Sequence, residues 1–473
     1  MATCRLKLLT NDQGPIVALC TSRGSGAIAV LRICGTDAIK IVDKFAKISS
    51  GKNLSECNSH TIHHGYVINS NNPKNVIDEV LFFLMRSPKT FTGQDTVEIN
   101  CHNNLFIIER IIELAILSGA RLAERGEFTK RAFLNKKIDL VQAESINDLI
   151  NAQTEFVLKK SMSQLSGSLS YFLQEIELCI TKLLALIEGS FEFFEEEQKD
   201  LDLDNLIREN IKKLCEKLDY IKSNFKQQQR IKNGIKICIL GWVNSGKSTL
   251  FNALVKNDRA IVTKIEGTTR DSIEYSLYKN GNFWSFIDTA GIRDTNDFIE
   301  KKGIDRSLNQ AEYADIILLI FDSSIFLNNQ KIEVYKKIFE KYKDKIILVA
   351  SKIDIEDKES LNNLLFIDHK KFVKVSGLKK IGIDILEDEI EKSIQDLFLK
   401  LKSPFLLNCR QYNLIIQMKR DIDFIVKNYK DSLEYELIAY HLKNLLETLS
   451  QLTGKNVSER VLDSVFKQFC VGK

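Results

Sequence analysis

The sequence predicts a multidomain α+β protein, in which an α/β domain is inserted into a discontinuous all-helical domain behind an N-terminal α+β domain. Three changes of texture predict it. Short β-rich runs with turn residues fill residues 1–121. Residues 127–230 contain no proline and carry long 3.6-residue apolar periods. From residue 235 strand, glycine-rich turn and helix alternate as far as 395, and helical periodicity then returns up to Lys473. The boundaries expected are therefore 1–121, 122–230, 231–395 and 396–473.

Within the first block, residues 15–19, 27–33 and 79–84 read as strands, and 105–118 as a helix stopped at Gly119. Residues 142–156 and 169–191 read as long amphipathic helices. The acidic stretch 192–197 reads as a solvated helix end or connector. No repeat or low-complexity segment interrupts the chain.

Composition narrows the class. Of 473 residues 44% are hydrophobic and 27% charged, proportions that bury large cores and exclude a disordered chain. The longest apolar run, Ile316 to Phe321, is far too short to cross a bilayer, and residues 1–12 develop no secretory h-region. Ten scattered cysteines include no Cys-x-x-Cys pair, which fits a reducing cytoplasm better than a disulfide framework or zinc site. A net charge of +4 neither demands nor forbids a nucleic-acid partner. The groups Cys101-His102 and His60-x-x-His63-His64 lack a complete ligand set and read as structural.

The chemistry begins after the apolar strand 235–240. Gly241-Trp242-Val243-Asn244-Ser245-Gly246-Lys247-Ser248 matches the phosphate-loop pattern G-x-x-x-x-G-K-S, and the helix-like run 249–254 follows it. Glycines let backbone N–H groups face phosphates, and the helix start adds positive potential. Lys247 is placed to reach the β/γ-phosphates, and the Ser248 hydroxyl to ligate Mg²⁺. Downstream, strand 283–287 ends in Asp288-Thr289-Ala290-Gly291, with Asp288 suited to a Mg²⁺-bound water and the Gly291 N–H to a γ-phosphate. The loop Gly267-Thr268-Thr269-Arg270-Asp271 offers Thr269 as a second Mg²⁺ hydroxyl. Strand 345–350 leads into Ser351-Lys352-Ile353-Asp354, where a carboxylate accepts two hydrogen bonds from guanine, a donor pair adenine lacks, so GTP is favoured. Val375-Ser376-Gly377-Leu378 supplies the base-side loop.

Three positions depart from the common GTPase pattern. Ser351 stands where asparagine is usual and cannot make the same amide contacts. Gly377 replaces a common alanine. Ile292, after Asp-x-x-Gly, replaces the glutamine that orients water elsewhere. Glu300 is a candidate to do that work through a bridging water; a surface helix carboxylate is the other reading of it.

The chain as a whole resembles the bacterial and organellar tRNA-modification GTPase family, MnmE/TrmE. The resemblance is carried by Gly126-Glu127-Phe128-Thr129-Lys130-Arg131-Ala132-Phe133-Leu134-Asn135, by 139–144, by 27–33, by Phe91-Thr92-Gly93-Gln94-Asp95, and by the ending Phe469-Cys470-Val471-Gly472-Lys473. It implies a folate-binding and dimerising N-terminal domain, a helical domain in two parts and an inserted Ras-like G domain. It implies a homodimer that works with an FAD-containing partner subunit on tRNA, giving carboxymethylaminomethyl or aminomethyl groups at C5 of wobble uridine. A 5-formyl-tetrahydrofolate-like donor would meet Arg32, Glu98, Lys137 and Lys473. The resemblance further implies K⁺ beside the phosphates, with Asn244, Thr263, Ile265 and Thr268 as ligands, Glu300 positioning water, and GTP contacts from Asn244, Ser245, Gly246, Lys247, Ser248, Thr249, Thr263, Lys264, Ile265, Glu266, Gly267, Thr268, Thr269, Asp288, Thr289, Ala290, Gly291, Ser351, Lys352 and Asp354. Cys470 matches a tail cysteine with a part in modification, or is a small buried tail residue. Gln411 departs from the family's usual histidine. The alternative function is a GTP-dependent RNA-binding assembly factor, which the absence of a strongly basic appendage disfavours.

Overall fold

A computed structural model describes residues 14–22, 24–69, 72–193, 201–222, 225–232, 234–242, 244–256, 263–264, 275–287, 311–325, 329–355, 372–400, 405–429 and 434–473. They form two compact units. One comprises the stretch ending at Ile150 together with Met162–Leu218 and Asn413–Lys473; the other comprises Asn151–Ser161 and Asp219–Tyr412.

The first unit holds a seven-stranded sheet built from β1 (Ile16–Leu19), β2 (Ile28–Cys34), β3 (Ala46–Ile48), β4 (Thr61–Asn69), β5 (Asn72–Met85), β6 (Thr96–His102) and β7 (Arg121–Leu122), in the order β3-β4-β5-β6-β2-β1-β7. Alternation along the strands decides which side chains face which way. On β2 and β6, Ala29, Leu31, Ile33, Val97, Ile99 and Cys101 point into a core shared with helices α1 (Ala38–Asp43) and α2 (Leu105–Leu117). The intervening residues take the opposite face. Since Arg32 lies directly across from Glu98 in the β2–β6 register, the period of two sets a cation against a carboxylate there. Strands 61–69 and 96–102 were not evident as strands in the sequence, because His63, His64, Glu98 and Asn100 dilute their apolar pattern.

Helices α3 (Glu127–Leu134), α4 (Leu140–Ile150), α5 (Glu155–Leu165), α6 (Ser168–Phe193) and α7 (Leu201–Lys222) follow. On α6 the residues Leu169, Leu173, Ile176, Ile180, Leu183 and Ile187 are all buried, the spacing of three and four that makes one helical stripe. The expected helix over 142–156 is in fact two. It stops at Ile150, and Thr154 restarts it by accepting the Val157 N–H at 3.1 Å.

The second unit explains that break. The Glu155 N–H donates to Gly281 O at 2.7 Å and the Phe283 N–H to Gln153 O at 2.9 Å, so residues 153–155 pair with a hairpin turn instead of continuing a helix. Val157 then joins the core of the α/β sheet, and Phe156 stacks on Phe398 at 4.8 Å. That sheet comprises β8 (Ile235–Gly241), β9 (Thr263–Lys264), β10 (Tyr275–Lys279), β11 (Asn282–Ile287), β12 (Ile316–Asp322), β13 (Ile346–Ser351) and β14 (Phe372–Lys374), ordered β14-β13-β12-β8-β11-β10-β9. Five neighbouring strands run parallel and the β9–β10 edge is antiparallel. The apolar run noted in the sequence is β12, buried along its whole length, as expected for a parallel strand covered on both faces. Helices α8 (Phe225–Lys232), α9 (Lys247–Lys256), α10 (Asn329–Tyr342) and α11 (Ile383–Leu399) belong here, and α12 (Cys409–Asn428), α13 (Tyr435–Thr453) and α14 (Glu459–Phe466) complete the chain. Among the described residues no helix is long and apolar enough to cross a membrane.

Candidate nucleotide and one-carbon sites

Strand β8 lies between β11 and β12, and its carboxyl end opens where the strand order departs to either side, the place α/β sheets hold ligands. Gly241 ends the strand. A Cβ there would sit 2.6 Å from Ile320 O, so only glycine lets the chain leave β8 this close to β12. Asn244 (φ 62°) and Gly246 (φ 89°) are left-handed, which turns the loop back on itself. Helix α9 then starts at Lys247, so its unpaired N–H groups face the loop. The Lys247 ammonium lies 2.9 Å from Gly241 O and 2.6 Å from Trp242 O, spanning the loop mouth, and burial pushes its pKa down. The buried Ser245 hydroxyl has no hydrogen-bond partner among the described residues. These features fit an anion that would take the loop's donors.

The base side is built from the ends of β13 and β14. Ser351 closes β13, with its hydroxyl 2.6 Å from Ser245 O and 3.0 Å from Phe321 O. Lys352 adopts φ 60° and its ammonium meets Asp322 Oδ2 at 2.5 Å. Asp354 follows in the short turn Ile353–Ile355, its carboxyl held below the usual range by a hydrogen bond from Ser376. A Cβ on Gly377 would lie 3.1 Å from the backbone of Thr249 and Leu250, so glycine lets this loop settle against α9. The structure thus gathers Asn244, Ser245, Gly246, Lys247, Ser248, Thr249, Ser351, Lys352 and Asp354. Thr263 and Lys264 lie on β9 and pair with Ser276 and Tyr275 of β10. Ile265, Glu266, Gly267, Thr268, Thr269, Asp288, Thr289, Ala290, Gly291, Ile292 and Glu300 lie outside the described residues. Asp322 is a member the sequence reading missed; its signal was a carboxylate ending an apolar run one strand away from Ser351.

In the other unit, Arg32 Nε donates to Glu98 Oε1 at 2.7 Å, and its guanidinium lies 5.3 Å from the Phe128 ring centre. Phe128 packs with Ile16, Ala18 and Cys34 on this outer sheet face. The chain terminus arrives at the same place. The Phe128 N–H donates to Lys473 O at 3.2 Å, the Gly126 N–H to Cys470 O at 3.3 Å, and the Cys20 thiol to Gly472 O at 3.3 Å. Arg32, Glu98, Lys473 and the unforeseen Cys20 therefore share one face. Burial pushes the Cys20 thiol up. Lys137 sits on the neighbouring loop, its ammonium 3.0 Å from Pro88 O. Cys470 is exposed and not a buried tail residue. Elsewhere His64 bonds Glu79, and His102 bonds Asp78, each at 2.7 Å.

Two family models match this chain: the MnmE helical domain over residues 140–470, and the GTP-binding protein TrmE N-terminus over 15–137. Curated relatives include tRNA modification GTPase MnmE of Lachnoclostridium phytofermentans, 35% identical over 97% of this chain and 99% of that protein, and of Alkaliphilus oremlandii, 38% identical over the same shares. Among solved structures, the G domain of the T. maritima FeoB iron transporter matches 34% of this chain and 98% of that one at 26% identity, with a TM-score of 0.25, too low to support an argument from shape.

Proposed function

The chain belongs to the MnmE family of tRNA modification GTPases, and we propose that it is a cytoplasmic, homodimeric, K⁺-activated GTPase that modifies C5 of wobble uridine together with an FAD-containing subunit. The observation carrying the nucleotide reading is the bonded pair of loops. Lys247 and the start of α9 lie at one end of it, Asp354 at the other, and Ser351 joins them.

In this reading Lys247 releases the two loop carbonyls and turns to the β- and γ-phosphate oxygens, while the N–H groups of 244–249 hold the phosphates in place. Ser248 and Thr269 would hold Mg²⁺, and Asn244, Thr263, Ile265 and Thr268 would hold K⁺. Held by these residues, the cations would supply positive charge against the negative charge that builds up on the phosphate oxygens. Asp354 selects guanine. Glu300 holds the attacking water through a second water, since a carboxylate directly against the γ-phosphate would be repelled. On the other unit, Glu98 takes the amide–amine edge of a pterin, oriented by Arg32. Lys137 and Lys473 answer carboxylates, and Cys470 is placed beside the donor. The domains would run 1–121, 122–230, 231–395 and 396–473.

Steady-state GTP turnover in K⁺ and in Na⁺ tests this. We expect it to fall at least about tenfold in Na⁺, too small an ion for a carbonyl cage of K⁺ size. Glu300→Ala should lose about 10²–10⁴-fold in kcat with GTP affinity within about threefold. Equal rates in the two salts would remove the K⁺ assignment.

A further inference from the structure

We propose that this chain does not read N7 of guanine, because Ser351 has exchanged base recognition for a strut between the base loop and the phosphate loop. The inference rests on the reading of these loops as the GTP site. Position 351 is where the GTPase pattern puts an asparagine, whose amide N–H₂ can donate to an acceptor. Here it is serine, 3% exposed at the last residue of β13. A hydroxyl carries a single proton. Two carbonyl oxygens compete for it, Ser245 O at 2.6 Å and Phe321 O at 3.0 Å, and neither has a proton to give back. What remains on Oγ is lone-pair density, and N7 of guanine is itself an acceptor. The neighbouring hydroxyl is engaged too, the Ser376 side chain with Asp354, and the Lys352 ammonium is drawn to Asp322 on the next strand. Base choice therefore falls on Asp354, through the N1 and exocyclic amine donors, and N7 makes no contribution to it.

The test is competition binding on the full chain with GTP, 7-deaza-GTP, in which a C–H replaces N7, and ITP, which lacks the exocyclic amine. We expect GTP and 7-deaza-GTP to bind within about twofold of each other, and ITP about tenfold more weakly, the cost of a lost charge-assisted hydrogen bond. Ser351→Asn, restoring an amide donor, should favour GTP over 7-deaza-GTP by about fivefold. Ser351→Ala removes the strut and should weaken both nucleotides together, their ratio staying near one. A fivefold or greater loss on 7-deaza-GTP by the unmutated chain overturns the inference while leaving the GTP site intact. Failure to bind GTP, or binding GTP and ITP alike, overturns the guanine-site reading and the inference with it.

Discussion

Asp354 and Gln411 show how far single residues can be read. At Asp354 the half-buried carboxylate is kept ionised by the Ser376 hydroxyl, which in the proposed site suits it to accept from N1 and the exocyclic amine of guanine. Asp354→Asn replaces one acceptor site by a donor. GTP should then bind about tenfold or more weakly, whereas xanthosine triphosphate, whose 2-oxo group is an acceptor, should bind better than it does to the unmutated chain. Competition binding that leaves the preference for GTP unchanged would show that another group chooses the base. The placement of Lys247 and Asp354 was legible because each is a charge at a fixed spacing within one short motif. The bonds of Ser351 were not, since their acceptors lie 106 and 30 residues away in the chain. Gln411 departs from the histidine usual in the family. In the structure it caps α12: its N–H donates to Asn408 Oδ1 at 2.8 Å, and its Oε1 accepts the Asn408 N–H at 3.1 Å. That reciprocal pair is a capping box, with asparagine in the serine position, and it was available from the spacing Asn408-x-x-Gln411 alone.

Among elements, α3 carries the sequence signature that identified the family, and its charges turn out to hold the fold. Glu127 is 7% exposed and accepts a two-pronged bond from Arg121, at 2.7 and 2.8 Å, together with Arg131 at 2.8 Å and the Glu124 N–H at 2.9 Å. Arg131 in turn reaches Gly14 O and Gln94 Oε1. Burial pushes the Glu127 carboxyl up, and the Arg121 pair, the Glu124 N–H and Arg131 more than reverse it, so its pKa ends below the ordinary 4.5 of a glutamate. A folded-state pKa below the unfolded one stabilises the fold above pH 4.5, and that contribution is lost as pH falls through the folded-state value. Glu127→Gln leaves Arg131 buried without its carboxylate and should cost about 2–4 kcal/mol at pH 7. The urea midpoints of the two proteins should draw together below pH 4.5; a gap that stays constant down to pH 3.5 would show that the carboxylate is not the source. The α4–α5 break teaches the converse lesson. Residues 151–154 are Asn, Ala, Gln and Thr, a polar gap between two apolar stretches, and the backbone partners of 153 and 155 come from the hairpin turn about 130 residues away.

At the scale of the molecule, residues 470–473 dock beside the first strand and the start of α3. Lys130 pairs with Asp463 across 333 residues, and the Cys20 thiol meets Gly472 O across 452. Both contacts lie within the unit that excludes Asp219–Tyr412. No local pattern could disclose them, although the ending Phe469 to Lys473 could be recognised as a motif. Gly472 is where this docking is least tolerant. It has φ 92°, and a Cβ there would stand 2.6 Å from Leu19 O and 2.9 Å from Cys20 Cα, both backbone atoms at the end of β1, which cannot swing aside as a side chain can. Gly472→Ala combines this clash with a left-handed residue and should cost the docked tail at least about 1 kcal/mol. Cys470 and Lys473 would then leave the face that holds Arg32 and Glu98, while the phosphate loop and Asp354, in the other unit, keep their partners. We therefore expect wobble-uridine modification, read by nucleoside mass spectrometry in cells, to fall severalfold. Intrinsic GTP turnover in K⁺ should stay within about twofold, with Val471→Ala, at an exposed side chain, as the neutral control. Normal modification by Gly472→Ala would mean that the docked tail is not the working form; a parallel collapse of GTP turnover would mean that the two units do not act separately.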